Sequence, residues 1–263
     1  MEFIRKDFYT TEDLLKIVEI LRDPQIGCDW DRIQTHKSIR KDFIEETYEA
    51  VDAIDNDDKI LLREELGDVL LQVMMHSQME KEINSFTFAD VVNDLAQKLV
   101  LRHPHVFNGL QVNGTDEVLS NWEAIKNDSH GHNTVSRTVN AVPHSFPALM
   151  YAQKVQKRVV AGKLPLPDKK AEIAAIRALL DEMENTDDTA TQRQMEQLLF
   201  SAVNLVRLNK MDSEQVLREK SRKFVKIFNI FEDLALQKGL SFDTIEFALL
   251  KEIWIQAEGL GEN

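Results

Sequence analysis

Two short acidic runs, Glu45-Glu46-Thr47-Tyr48-Glu49 and Glu65-Leu66-Gly67-Asp68, lie inside sequence that otherwise reads as buried helix, and neither contains a basic residue. At about 100° per helical residue, Glu45, Glu46 and Glu49 share a sector about 100° wide, and Glu65 and Asp68 sit one turn apart on the following helix. Packed side by side, two such helices gather five carboxylates around one point. Like charges that close raise one another's pKa, and the crowding is tolerable only where a cation neutralises it. Hard oxygen donors without Cys or His favour Mg²⁺, with Mn²⁺ as the alternative.

The segment carrying the second run is apolar nearly all round from Leu61 to Met79, which predicts a helix enclosed on most sides. Its polar members Glu65, Asp68, Gln72 and His76 follow steps of 3, 4 and 4 and form one stripe. With 9 Gly and 6 Pro the chain has few turn signals, and long stretches carry 3.6-residue periodicity. The fold class is therefore all-α. The pattern predicts helices at about 11–21, 38–55, 59–82, 88–103, 116–126, 148–160, 169–185, 191–209, 213–238 and 242–258, with Thr10 or Thr11 capping the first.

A formal charge of -13 argues against binding a nucleic acid polymer, because such affinity rests on clustered Lys and Arg. The lone Cys28 excludes an intrachain disulfide, fits a reducing compartment, and reads as a small apolar packing residue. The N-terminal run Met1-Glu2-Phe3-Ile4-Arg5-Lys6-Asp7 lacks the apolar stretch of a signal peptide, and no segment is apolar over a bilayer's width. The expectation is a soluble cytoplasmic protein with no membrane partner.

At 263 residues, two domains are expected: residues 1–135 and 146–263, joined through the Ser-, Thr-, Asn- and His-rich stretch from Asn127 to Val142. The halves read as a divergent repeat. Gln194-Met195-Glu196-Gln197-Leu198-Leu199-Phe200 follows the pattern of Glu65 to Leu71 with both acids replaced by Gln, and Glu172 is the one acid where the first half has three. A neutral amide cannot supply a carboxylate's charge to a hard cation.

Together these residues resemble the MazG family of nucleoside triphosphate pyrophosphohydrolases in its tandem two-domain bacterial form. The resemblance spans nearly the whole chain. It is carried by Leu21-Arg22-Asp23-Pro24, Gly27-Cys28-Asp29-Trp30-Asp31, Gln34-Thr35-His36, the two acidic runs, Arg102-His103-Pro104-His105-Val106-Phe107 and Pro147-Ala148-Leu149-Met150. It implies tandem MazG-like helical bundles, the second divergent, and Mg²⁺-dependent hydrolysis of a nucleoside triphosphate to the monophosphate and pyrophosphate. Glu45, Glu46, Glu49, Glu65 and Asp68 are then the metal cage, and one of them, which the sequence leaves open, accepts the proton of the attacking water. Lys98 and Arg102, one turn apart, match positions that contact the phosphates in the family; a solvated helix end is the alternative. Trp30 either stacks on a base or covers a core edge, and a homodimer is implied.

Three features depart from the family pattern. Asp29 stands where Pro is usual, the aromatic loop expected after Arg158 is replaced by Gly162 to Pro167, and a basic helix position is Ile227. With the second acidic motif eroded as well, catalysis is expected in the N-terminal domain and scaffolding or dimerisation in the C-terminal one. A di-iron carboxylate bundle would need Glu-x-x-His pairs, and the residues three beyond Glu45 and Glu65 are Tyr48 and Asp68. The remaining rival is a helical protein that binds a nucleotide or partner without turnover.

Overall fold

Several of the helices begin where short polar side chains cap them. Thr10 accepts the amide hydrogen of Asp13 while the Asp13 carboxylate accepts that of Thr10, and this reciprocal box opens α1 (Thr11–Leu21). α2 (Arg40–Asp55) ends at Asn56, where Asp57 takes a left-handed φ of 52°. Asp58 then caps α3 (Lys59–Glu82), and a Thr87–Asp90 box opens α4 (Phe88–Arg102). α5 (Pro104–Phe107) starts on a proline, whose missing amide hydrogen costs nothing at a first helical position. α6 (Thr115–Ser129) and α7 (Val135–Asn140) follow, then α8 (Ala148–Ala161), α9 (Lys169–Glu184), α10 (Gln192–Leu208), α11 (Ser213–Gln237) and α12 (Phe247–Gly261). The structure, a computed structural model, describes residues 4–129, 134–185, 191–240 and 246–261; among these there are twelve α-helices, one 3₁₀ turn at Asp31–Ile33 and no strand. None of the described helices is long and apolar enough to cross a membrane.

The chain divides into two compact units, Met1–Ile125 and Lys126–Asn263. In the first, α3 packs against α1, α2 and α4. Its core joins Val18 of α1, Ile39 ahead of α2, and Met74, Met75 and Met79 of α3, with Leu14, Leu15, Leu71 and Phe88 against them. This core uses only the second half of α3. The enclosed helix expected from composition is corrected accordingly: Leu66 is 54% exposed and Leu70 37%, so the first half of α3 presents apolar side chains outward. In the second unit α8 packs against α7, α10 and α11, α9 pairs with α10, and α11 with α12. The α11–α12 core holds Ile227, Phe231, Ile253 and Ala257, so the apolar residue at the position expected to be basic is a core side chain.

The stretch read as a linker contains structure. α6 continues to Ser129, and Thr134 caps α7, which packs on α8 through a bond from the Arg158 guanidinium to the Thr138 carbonyl. The Asn127–Val142 reading otherwise falls partly on residues 130–133, outside the described residues, as do residues 242–245 of the expected last helix, which begins at Phe247.

The loop between α1 and α2 follows from its sequence. Asp23 accepts the amides of Gln25 and Ile26 at 2.8 and 3.0 Å, and these bonds hold its carboxyl below the ordinary range. At Gly27 a Cβ would lie 2.5 Å from the carbonyl oxygens of Leu21 and Asp23, so only glycine fits the return of the chain. Arg22, with 5% of its side chain exposed, holds the loop: its Nε and Nη2 donate to both Glu82 oxygens at 2.8 Å, and its Nη1 donates to the carbonyls of Asp31 and Gln34. Cys28 is exposed on this loop, which corrects its reading as a packing residue; its amide is spent on the Leu21 carbonyl, and the backbone path turns the side chain outward.

Candidate metal centre

α2 and α3 bring Glu46, Glu49 and Glu65 together, each with a carboxylate oxygen within 4.8 Å of the others. Glu65 is buried, Glu46 and Asp68 half-buried and Glu49 exposed, so the group opens to solvent on one side. Burial, then the charges of Asp68, Glu49 and Glu65, push the Glu46 carboxyl up. Burial and the charges of Glu49, Asp68 and Glu64 push Glu65 up. Glu49 lies between them, within hydrogen-bond reach of both when a proton is present. Mutual repulsion among carboxylates from facing helices is the condition a hard divalent cation relieves, so the donor set fits Mg²⁺ or Mn²⁺.

The expected cage narrows. Asp68 acts on the group through its charge, but Glu45 is exposed on α2 and outside the trio. Its position explains this: once Glu46 and Glu49 turn toward α3, Glu45 falls on the far edge of their sector. Lys98 is exposed on α4. Arg102 is 9% exposed with its guanidinium 5.4 Å from the centre of the Trp122 ring, a cation–π contact that α6 supplies and no local pattern announced. Among the described residues neither Lys98 nor Arg102 pairs with a carboxylate, and neither lines the cleft beside the trio. His103 donates from Nδ1 to the Leu99 carbonyl at 2.7 Å, closing the end of α4.

That cleft, about 480 Å³, runs from Glu46 past Leu71, Gln72 and Met75 to Trp30. Trp30 is 58% exposed and forms one wall, so it does not cover a core edge. Its loop is fastened from inside: Gln34 donates to the Trp30 carbonyl at 2.8 Å and accepts from the Ser38 hydroxyl at 2.7 Å. Asp29, in place of the usual Pro, is solvated and paired with Arg32.

Sequence reasoning placed His76 on the carboxylate stripe and missed its partner. His36 Nδ1 faces His76 Nδ1 at 2.7 Å with the rings 5° from parallel, and His36 Nε2 lies 2.7 Å from Glu80 Oε1. One proton fits between the facing nitrogens. Burial, then His36, pushes the His76 pKa down. Only a separation of 40 residues in sequence hid this pairing.

The second unit has put the corresponding positions to structural use. Gln194 completes the capping box of α10 with Thr191 and donates to Glu182, and Gln197 donates to Ser201. Glu172, 3% exposed, accepts from Asn204, which in turn accepts from Arg207. Among the described residues no three potential metal-ligating side chains of this unit come together.

By fold and by site, the chain is in the class of all-α proteins that carry a carboxylate trio on a hairpin of facing helices. Residues 34–107, which contain every expected cage acid, match the family model described as "MazG nucleotide pyrophosphohydrolase domain". The chain is 38% identical over 249 residues to "Nucleoside triphosphate pyrophosphohydrolase/pyrophosphatase MazG" of Thermotoga maritima, covering 94% of this chain and 95% of that one. It is 36% identical over 253 residues to "Nucleoside triphosphate pyrophosphohydrolase" of Escherichia coli K12, covering 93% and 95%. It is also 33% identical over 247 residues to the "Uncharacterized protein YabN" of Bacillus subtilis, covering 92% of this chain and 50% of that protein. The chain belongs to the MazG family.

Proposed function

We propose that this chain is a nucleoside triphosphate pyrophosphohydrolase whose site lies in the first unit and depends on Mg²⁺, with Mn²⁺ as a substitute. The observation that carries the reading is the trio Glu46, Glu49 and Glu65, joined by the charge of Asp68. The names of the Thermotoga maritima and Escherichia coli relatives supply the substrate class. In the reaction, water oxygen bonds to the α-phosphorus, the α–β anhydride breaks, and a carboxylate of the group takes the water's proton. The products are nucleoside monophosphate and pyrophosphate. These four acids would hold a divalent ion, which when bound would supply a lowered pKa for water and charge to offset the departing pyrophosphate. Trp30 offers a stacking face to the base; Arg102 is committed to Trp122 and Lys98 lies outside the cleft lining, whereas Lys41 lines the cleft beside Glu46 and is a cation within it for the phosphates. The second unit acts as scaffold, because its equivalents of Glu65 and Asp68 are amides engaged in structural bonds. A pyrophosphate-release assay over the common triphosphates, with and without Mg²⁺, decides the matter. Metal-dependent pyrophosphate and monophosphate are expected; nucleotide binding without release of either would establish the non-catalytic rival.

A homodimer is part of the same proposal. Val92, Leu95 and Leu99 form an exposed apolar stripe on α4, and Leu66 and Leu70, one turn apart on α3, are exposed as well. Apolar stripes of this kind face another element, and a second copy is the partner proposed. Light scattering is expected to give twice the chain mass, falling to one chain when Leu95 and Leu99 are both replaced by Glu. A monomeric wild-type protein would end this part of the proposal.

A further inference from the structure

We propose that Gln72 is the residue that reads the nucleobase and so sets which triphosphates the first unit prefers; this rests on the reading of the cleft as a nucleotide site. Gln72 is 8% exposed, lines the cleft between Glu46 and Trp30, and keeps its side-chain oxygen buried without a hydrogen-bond partner. An unpaired amide oxygen in such a place carries an unmet desolvation penalty, which a ligand supplying the missing donor removes. The other uncharged polar side chains of the cleft are already engaged: Ser38 donates to Gln34, and Gln34 donates to the Trp30 carbonyl.

Position along α3 decides what Gln72 meets. It lies four residues beyond Asp68 and seven beyond Glu65, about 10 Å along the helix axis from the latter. That spacing is comparable to the span from a nucleotide's α-phosphate across its sugar to the base. A ligand whose phosphates sit at the carboxylates therefore brings its base to Gln72, in the cleft that Trp30 also lines. A glutamine amide carries an acceptor and two donors in one plane, the complement of a base edge that places donor and acceptor side by side. A site built to pair with such an edge rejects ligands lacking it far more strongly than an apolar pocket can.

The test is calorimetry on the full chain with Mg²⁺, using AMP, CMP, GMP, UMP and ribose 5-phosphate as the base-free probe. Wild-type protein is expected to bind at least one nucleotide tenfold or more tightly than ribose 5-phosphate. Gln72→Leu should lose that advantage tenfold or more while binding ribose 5-phosphate as before, and Gln72→Met, closer in shape, repeats the measurement if the Leu variant does not fold. Gln72→Glu, which only accepts when ionised, should change the rank order of the four bases. Equal losses for nucleotides and for ribose 5-phosphate, an unaltered base preference in the variants, or no preference in the wild type would each overturn the proposal. Because product binding is measured without turnover, a protein that releases no pyrophosphate would refute the proposed activity and leave this result to stand or fall alone.

Discussion

Replacing Glu46 or Asp68 by Ala is expected to reduce Mg²⁺-dependent pyrophosphate release at least about 100-fold, the scale on which loss of one transition-state stabilising group is felt. The same variants should melt no lower than wild type in the presence of a chelator. In the metal-free state burial and, after it, the neighbouring carboxylates both push Glu46 and Glu65 up, so removing one charge relieves a destabilising contact. Saturating Mg²⁺ should raise the wild-type melting point, since an ion at about 100 times its Kd adds about 2.7 kcal/mol to the folded state. It should raise that of the variants much less. Glu45→Ala is the control: Glu45 lies outside the trio, so activity and metal response should both survive. Full turnover in Glu46→Ala, or loss of activity in Glu45→Ala equal to that in Glu46→Ala, would show the cage to be wrongly drawn.

How much of this was legible beforehand depends on the range over which each feature is determined. Helices of several turns announce themselves by periodicity and by caps such as Thr10, Asp58 and Thr87, all local in sequence. The short α5 and α7 have too few turns for a period, and the polar composition around Thr134 reads equally as loop or as cap. The carboxylates were legible because the helical repeat alone nearly determines their sector. Choosing among Glu45, Glu46 and Glu49 required the rotation of α2 about its own axis, which packing on α3 fixes. The exposure of Leu66 and Leu70 could not be read either: an apolar residue looks the same in a core and on a face that awaits a partner. Arg102 and Trp122, or His36 and His76, meet only once the chain has folded back.

The second large effect concerns the clamp between α1 and α3, and it is a matter of stability rather than chemistry. Glu82→Ala is expected to cost about 3 kcal/mol, because it leaves the Arg22 guanidinium buried without a counter-charge; Glu82 is itself 34% exposed, which keeps the figure at the lower end for broken buried pairs. For a unit of this size that corresponds to a fall of about 10 °C in melting temperature. Arg22→Lys should also destabilise, since an ammonium keeps the charge but cannot span both Glu82 oxygens and two loop carbonyls together. The pH dependence follows from Glu82, whose carboxyl is held below its ordinary range chiefly by the hydrogen bond from Arg22. A carboxylate with a lowered folded pKa stabilises fully above its unfolded value of about 4.3 and loses that contribution as pH falls through the lowered folded value. The gap between wild type and Glu82→Ala should therefore be constant from about pH 6 to 8 and close below about pH 4. Denaturant titrations of both proteins across that range measure it, and a gap that persists unchanged into acid would mean that Glu82 and Arg22 are not an ion pair in solution.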